Sequence, residues 1–397
     1  MRQHTSIHTM MAALCGLGLG FAAVAAAGDQ PPPLPVEPIG VVETLPAEYP
    51  KSWFLVHDAA FFHMSDGKVY VLDTARESVA EQVKGTFNVS LMGNIRQSAS
   101  RGEIYATETF HPRGTRGQRL DVLTIWDQEN LAPLGEVILP VGKRFMGMPE
   151  RYALLLIDND RWLAVANFSP AASVTLIDLE RREIVNEIAT PGCSLAYPTG
   201  ERGFSSLCAD GRFLSTELAE DGSVVAQLRT DAFFDSDDSP IFERPAVIGN
   251  TAYFPSFDGL VYPVDIGAKV ASPGEPWHMV PEAERGEKWA PGGIGIIDWD
   301  RQGRFYVLMH ADAKDGSHNG GGSEVWVYDG RKQERVQRIA LREWGISLAV
   351  SRGSEPRLLV TNPMDMSLEL YDGRSGEFIR TITGFGQETP LMLHGAR

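Results

Sequence analysis

The feature that most constrains the fold is a short strand-like segment that recurs seven times along the chain. In each copy an alternating run rich in Val, Ile, Leu and aromatic residues ends in an acid, and a polar turn follows. The seven acids span 299 positions in six steps, an average of about 50 residues, and such a period with several strands per unit is typical of a β-propeller. The acids are Asp73, Asp127, Asp178, Glu217, Asp265, Asp329 and Asp372.

Each repeat has room for four strands. The third repeat predicts strands near 153–157, 161–168, 173–178 and 183–189. An acid at the end of the third strand can accept the backbone N–H two residues on, which would hold the turn to the fourth strand. We therefore predict an all-β chain, a seven-bladed β-propeller with four-stranded antiparallel blades.

The two ends of the repeat array indicate how the ring closes. The first repeat has too few residues before Asp73 for a whole blade, while the chain continues past the last repeat through Pro390–Leu393. We expect this C-terminal segment to complete the first blade, because closure removes exposed sheet edges. An array of β-sandwiches is the structural alternative, although its strands would not recur at this spacing.

The N-terminal segment has the composition of an export signal. Arg2 is followed by small and apolar residues over 10–27, and the run ends in Ala25–Ala27, an A-x-A cleavage site. We predict a signal peptide at 1–27, a proline-rich extended arm at 28–50 and the propeller at 51–397. An uncleaved membrane anchor is the alternative, but no second apolar run reaches the ~18 residues of a membrane span.

The net charge of the chain indicates which classes of binding partner it favours. Removing the signal changes the formal net charge from −16 to −17. An acidic surface is compatible with solubility and with attraction of cationic molecules, and it disfavours nucleic acid as a partner.

Two cysteines remain once Cys15 leaves with the signal. Cys193 and Cys208 have 14 residues between them, and in an oxidising compartment two thiols favour one disulfide. Closing this loop would stabilise the fold by roughly 3 kcal/mol. A metal-binding pair and two buried free thiols are the alternatives.

The sequence lacks the standard catalytic motifs. It contains no G-x-S-x-G, H-E-x-x-H, C-x-x-C-H or Walker A pattern. We interpret Gly203–Ser206 and the glycine run 316–322 as hairpin loops, and Asp235–Asp238 as a solvated turn rather than a calcium loop. The prediction is a chain with no catalytic nucleophile, metal or cofactor of its own.

Several segments, taken in order, resemble the heavy subunit of the quinoprotein amine dehydrogenases, the methylamine and aromatic amine dehydrogenase family. The similarity spans most of the mature chain and agrees with the blade count. The segments are His57–Phe61, Gly114–Val122, Phe168–Val174, Pro198–Thr199 with Cys208–Gly211, and Trp289–Gly293 just before the sixth blade.

This resemblance implies a function. It implies a periplasmic propeller with a Cys193–Cys208 disulfide, assembled as two heavy and two light subunits. The tryptophan tryptophylquinone cofactor would belong to the light subunit, which would oxidise a small primary amine and pass electrons to a blue copper protein. The heavy chain would scaffold the light subunit and line the substrate channel.

The resemblance also assigns individual residues. It places Phe61 where an aromatic side chain lines the substrate channel, although a core phenylalanine is the alternative. The loop with Arg113, Arg116 and Arg119 would contact the light subunit or simply be solvated. Two other functions stay open: a stand-alone extracytoplasmic binding propeller of the YVTN-repeat type, and a propeller dehydrogenase with a bound quinone.

Overall fold

Seven antiparallel sheets are arranged as the blades of a propeller, as predicted. The computed structural model describes residues 43–59, 67–90, 92–144, 147–386 and 389–397. In six of the sheets the strands follow one another in chain order from the centre of the ring to the rim, whereas one sheet begins with the last strand of the chain. The predicted signal peptide at 1–27 and most of the predicted arm at 28–50 lie outside the described residues.

The first four blades contain four strands each. Blade 3 confirms the four strands predicted from its sequence. The strands are β1 (Trp53–Ala59), β2 (Gly67–Asp73) and β3 (Val83–Asn88) in blade 1; β4 (Asn94–Ser98), β5 (Glu103–Phe110), β6 (Leu120–Asp127) and β7 (Pro133–Ile138) in blade 2; β8 (Leu154–Ile157), β9 (Trp162–Asn167), β10 (Ser173–Asp178) and β11 (Glu183–Ala189) in blade 3; and β12 (Cys193–Pro198), β13 (Gly203–Cys208), β14 (Phe213–Leu218) and β15 (Val224–Arg229) in blade 4.

Blades 5 and 6 each have one divided strand. The outer strand of blade 5 is split where Gly274 interrupts it, and the inner strand of blade 6 is split after Pro291. The strands of blade 5 are β16 (Ala246–Ile248), β17 (Thr251–Pro255), β18 (Leu260–Asp265), β19 (Ser272–Pro273) and β20 (Trp277–His278), and those of blade 6 are β21 (Ala290–Pro291), β22 (Ile297–Trp299), β23 (Arg304–His310), β24 (Gly322–Asp329) and β25 (Glu334–Gly345). Blade 7 consists of β26 (Ser347–Val350), β27 (Arg357–Asn362), β28 (Ser367–Asp372) and β29 (Phe378–Ile382). The last strand of the chain, β30 (Thr389–Gly395), is the fourth strand of blade 1.

The ring closes through the C-terminal strand, as predicted. Strand β30 pairs antiparallel with β1 and supplies the innermost strand of blade 1. Its residue Leu393 packs with Phe54 of β1 and Leu359 of β27, so one apolar cluster joins the first and last blades. The closing sheet thus combines the two ends of the array, and blade 1 has no unpaired inner edge.

The turn-forming acids behave as expected in six of the seven repeats. Asp127, for example, accepts the backbone N–H of Glu129 at 2.8 Å and that of Asn130 at 2.7 Å. Glu217 makes no such bond and instead forms an ion pair with Lys269. The acids that accept the N–H two residues on are Asp73, Asp127, Asp178, Asp265, Asp329 and Asp372.

One loop assignment and one position predicted from the sequence are corrected. Gly203–Ser206 is not a hairpin loop, because Gly203 begins strand β13 and its backbone is tightly enclosed by the neighbouring main chain. Trp289–Gly293 does not precede blade 6, since Ala290 and Pro291 form its strand β21. The glycine run does lie in the β23–β24 connection, and only Gly322 belongs to a strand.

Little of the described chain is helical. The helical segments are α1 (Val79–Gln82) and the 3-10 turns η1 (Arg151–Ala153), η2 (Glu282–Glu287) and η3 (Ser317–Asn319). No helix among the described residues has the length and apolar character needed to cross a bilayer.

The described part of the predicted arm packs against the propeller. Residues 43–50 form no strand, yet Leu45 and Tyr49 are buried with Trp53. The Leu45 N–H donates to the carbonyl of Glu129 at 2.8 Å. The arm therefore ends on the turn that joins the outer strands of blade 2.

Candidate functional site

One face of the propeller carries a large cavity, called here the loop-face cavity. It has a volume of about 840 Å³ and is lined by the connections that follow β7, β9, β11, β13, β15, β17 and β23, together with residues between β21 and β22. These are the loops between the second and third strands of a blade and between one blade and the next. Because such loops all emerge at the same end of the blades, residues distant in sequence line one space.

The walls of the loop-face cavity are mainly apolar and aromatic. Phe168 is 60% exposed at its edge, and Phe242 and Phe257 pack together with ring centroids 4.5 Å apart. The imidazole of His318 stacks on Phe257 at 3.9 Å. An exposed aromatic surface of this kind is characteristic of a site that binds a partner or ligand.

Charged groups lie at one side of the same cavity. Glu150 forms an ion pair with Arg244, and its side chain also accepts the N–H of Tyr152 at the start of η1. Glu243 accepts a hydrogen bond from the hydroxyl of Ser194 at 3.1 Å. Burial, and after it the nearby carboxylate of Glu150, raises the pKa of Glu243. Two carboxylates beside one guanidinium favour a cationic group over an anionic one here.

The two cysteines also line this cavity. Cys193 and Cys208 face one another on β12 and β13, and their sulfur atoms are bonded. The guanidinium of Arg229 lies 3.3 Å and 3.1 Å from the two sulfur atoms. The disulfide thus ties the inner pair of strands of blade 4 where they reach the cavity.

A second, smaller cavity adjoins the first. It measures about 640 Å³ and shares Phe257 and His318 with the loop-face cavity. Asp237 and Asp238 line it, and both donate their N–H to Asp235, so 235–238 is a turn as predicted. No group of three His, Cys, Asp or Glu in the described ranges is arranged to hold a metal ion.

Phe61, the residue assigned to the substrate channel by resemblance, lies outside the described residues. Its neighbour Ala59, at the end of β1, packs in a cluster with Met148 and Ile294. Both of those side chains also line the loop-face cavity.

The arginine loop of blade 2 is partly engaged within the chain. Arg113 and Arg116 form an isolated antiparallel bridge and are exposed. Arg119 forms an ion pair with Asp121 at 3.0 Å, and Arg144 pairs with the same carboxylate. Arg119 therefore positions the loop, and Arg113 and Arg116 face solvent.

Sequence reasoning missed the charged and aromatic residues of the cavity. Glu150, Glu243 and His318 come from three different blade connections and belong to no motif. The only signal in the sequence is the length of the connections that carry these residues. Those connections are longer than the turns at the opposite end of the same blades.

A closed propeller with a large apolar cavity on its loop face is the architecture of a binding scaffold. The sequence model of the family described as "Methylamine dehydrogenase heavy chain (MADH)" matches residues 52–394. The chain belongs to the methylamine dehydrogenase heavy chain family.

Individual relatives agree with this assignment. The methylamine dehydrogenase heavy chain of Methylorubrum extorquens is 25% identical over 334 residues, covering 84% of this chain and 78% of the relative. The heavy chain of Paracoccus versutus is 26% identical over 300 residues, covering 74% of this chain and 69% of the relative.

Solved structures show the same fold at low identity. A functionally unknown protein from Desulfotomaculum acetoxidans superposes with a TM-score of 0.58 at 10% identity, covering 85% of this chain and 97% of that one. Dihydro-heme d1 dehydrogenase NirN superposes with a TM-score of 0.52 at 17% sequence identity, covering 84% of this chain and 64% of that one. These similarities concern the fold alone.

Proposed function

We propose that this chain is the heavy subunit of a periplasmic tryptophan tryptophylquinone-dependent amine dehydrogenase that oxidises primary amines to aldehyde and ammonia. Membership of the methylamine dehydrogenase heavy chain family over residues 52–394 carries the proposal. The quinone would be held by a light subunit, two of which join two heavy chains, and it supplies the amine-oxidising chemistry. A blue copper protein would then accept the electrons.

The loop-face cavity is where we place the light subunit. It combines exposed aromatic side chains such as Phe168 with the carboxylates of Glu150 and Glu243. A few well-packed side chains, many of them aromatic, contribute most of the binding energy of a protein interface. The carboxylate of Glu243, which forms no ion pair within the described residues, would receive a basic side chain of the light subunit.

The role of this chain is then binding and positioning. Its rigid ring holds the cavity residues at the ends of strands, and the apolar walls exclude water from the contact. Phe61 would line the substrate channel, since Ala59, two residues before it, packs against Met148 and Ile294 in the wall of the same cavity.

The assembly is tested by purifying the tagged chain from its native source. We expect a small co-purifying chain whose quinone absorbance bleaches when methylamine is added. Phe168→Ala should weaken the complex at least tenfold, whereas Val225→Ala, 58% exposed on the outer strand β15, should leave it unchanged. A chain isolated alone would instead support the stand-alone binding propeller.

The assignment of Phe61 has its own test within the assembled enzyme. Phe61→Ala should change the ratio of kcat/KM for methylamine to that for a bulkier primary amine. Phe110→Ala, at the exposed end of β5, is the matched control. An unchanged ratio in the Phe61 variant would remove this residue from the channel.

Export is tested by mass spectrometry of the mature protein. Cleavage after Ala27 predicts an N-terminus at Gly28 and a periplasmic location. Retention of residues 1–27 would support the membrane-anchor alternative.

A further inference from the structure

A small cavity at the centre of the ring is unusually rich in arginine. It is lined by residues of the inner strands and their ends, including Arg96 on β4, Arg151 before β8, Arg352 after β26 and Arg397 after β30. Its volume is about 20 Å³, which is room for one particle of the size of a water molecule. We call it the axial cavity.

Two of the four arginines share a single carboxylate. Asp298 is buried on β22, and its Oδ1 accepts from Arg151 at 3.0 Å and from Arg352 at 2.6 Å. Burial alone would raise the pKa of Asp298, but the guanidinium groups of Arg352 and Arg151 lower it to about 2. This carboxylate is therefore ionised, and its charge is already shared by Arg151 and Arg352.

The other two arginines have no such partner. The Nε of Arg96 is buried without a hydrogen-bond acceptor, and neither Arg96 nor Arg397 forms an ion pair with a carboxylate of the described residues. Burial lowers the pKa of Arg96 to about 10, and the charge of Arg96, followed by burial, lowers the pKa of Arg397 well below its usual range. The two guanidinium groups line the same cavity and repel one another.

More distant carboxylates do not balance this charge. Asp160 acts on Arg96 from a distance, but it is the weakest of the influences on the pKa of Arg96 and forms no ion pair with it. Glu150 acts on Arg151, but it is paired with Arg244. The axial cavity keeps an excess of positive charge beside the buried Nε of Arg96, where an uncompensated charge is costly.

We propose that the axial cavity binds a single-atom inorganic anion of the halide class, chloride foremost, between the guanidinium groups of Arg96 and Arg397. An anion here would accept charge-assisted hydrogen bonds from both groups and relieve their repulsion. The small volume excludes phosphate and carboxylate ligands unless the exposed Arg397 moves away. The bound ion would link the end of β30, the strand that closes the ring, to β4 of the neighbouring blade 2.

Bromide in crystals tests the site directly. Crystals of the purified protein soaked in sodium bromide should show an anomalous peak between the Arg96 and Arg397 guanidinium groups. The Arg397→Gln variant should lose that peak. A cavity without anomalous density in the native protein would overturn the proposal.

Thermal unfolding in solution tests the same site independently of any light subunit. At constant ionic strength, replacing sodium gluconate by sodium chloride at about ten times the dissociation constant should raise the melting midpoint by about 2 °C. Arg96→Met and Arg397→Gln should abolish the difference, and Arg331→Gln, exposed on a blade 6 turn, should retain it. Equal chloride dependence in all four proteins would contradict the proposal.

Discussion

His57 is buried on β1, 1% exposed, and neither of its ring nitrogens has a hydrogen-bond partner among the described residues. Burial lowers the pKa of His57 from 6.5 to about 4, so the folded protein holds the ring neutral. As the pH falls, the unfolded chain takes up the proton first. The contribution of His57 to stability is therefore complete above pH 6.5 and is lost between pH 6.5 and 4.

This titration predicts the pH dependence of unfolding. Native stability should fall by up to about 3 kcal/mol between these pH values on account of His57. His57→Leu should reduce the slope of unfolding free energy against pH, measured by denaturant titration. His278→Leu, at an exposed position, is the control. An identical slope in the His57 variant would show that another group, such as the buried His394, accounts for it.

Asp127 illustrates what the repeated acid does at the level of one side chain. Its carboxylate accepts two backbone N–H groups of the turn to β7. Asp127→Ala should lower the free energy of unfolding by about 1–2 kcal/mol, because both donors lose their partner. Glu217→Ala, in the copy that makes no turn bond, should change it by less than about 1 kcal/mol. Equal effects would show that the turn bonds do not stabilise the blade.

At the scale of elements, the disulfide joins β12 and β13 beside the loop-face cavity. Cys193→Ser should lower the free energy of unfolding by about 3 kcal/mol, because the unfolded chain regains the freedom of a closed loop. Adding reductant to the native protein should give the same loss. An unchanged melting midpoint together with two titratable thiols in the native protein would contradict the disulfide.

The divided strands of blades 5 and 6 show where local sequence overrides the repeat. Gly274 lies between β19 and β20, and Gly292 with Gly293 lies between β21 and β22. Gly293 has a φ of 127° and a Cβ there would lie 2.5 Å from the carbonyl oxygen of Ile346, so a side chain would clash with blade 7. The interruption of blade 6 also places Gly293 and Ile294 in the wall of the loop-face cavity.

At the scale of the whole molecule, ring closure depends on packing between the first and last blades. Leu393 of β30 is 1% exposed in the cluster that joins them. Leu393→Ala should lower the free energy of unfolding by about 2–5 kcal/mol, as expected for a buried leucine. Leu228→Ala, 53% exposed on β15, should change it by less than about 0.5 kcal/mol. Similar effects of both substitutions would place the stability of the ring elsewhere.

The sequence by itself determined the number of blades, the strands of a blade, the turn acids and the return of the C-terminus to blade 1. These properties are local or periodic. Each blade must pack against a blade on either side, and every repeat of the sequence adds one more blade until the ring closes. Glu217 is the one glutamate among the seven acids, and its copy is the one without the turn bond.

Only the tertiary structure decided where the cavities lie and what lines them. Glu150, Glu243 and His318 come from loops that share no repeat pattern, and Arg96 meets Arg397 only because β30 closes the ring beside β4. The physical reason is that packing in the core of a blade requires apolar residues at alternating strand positions, whereas a loop can vary in length and composition. Contacts between such loops depend on the positions of whole blades, which no local pattern of residues records.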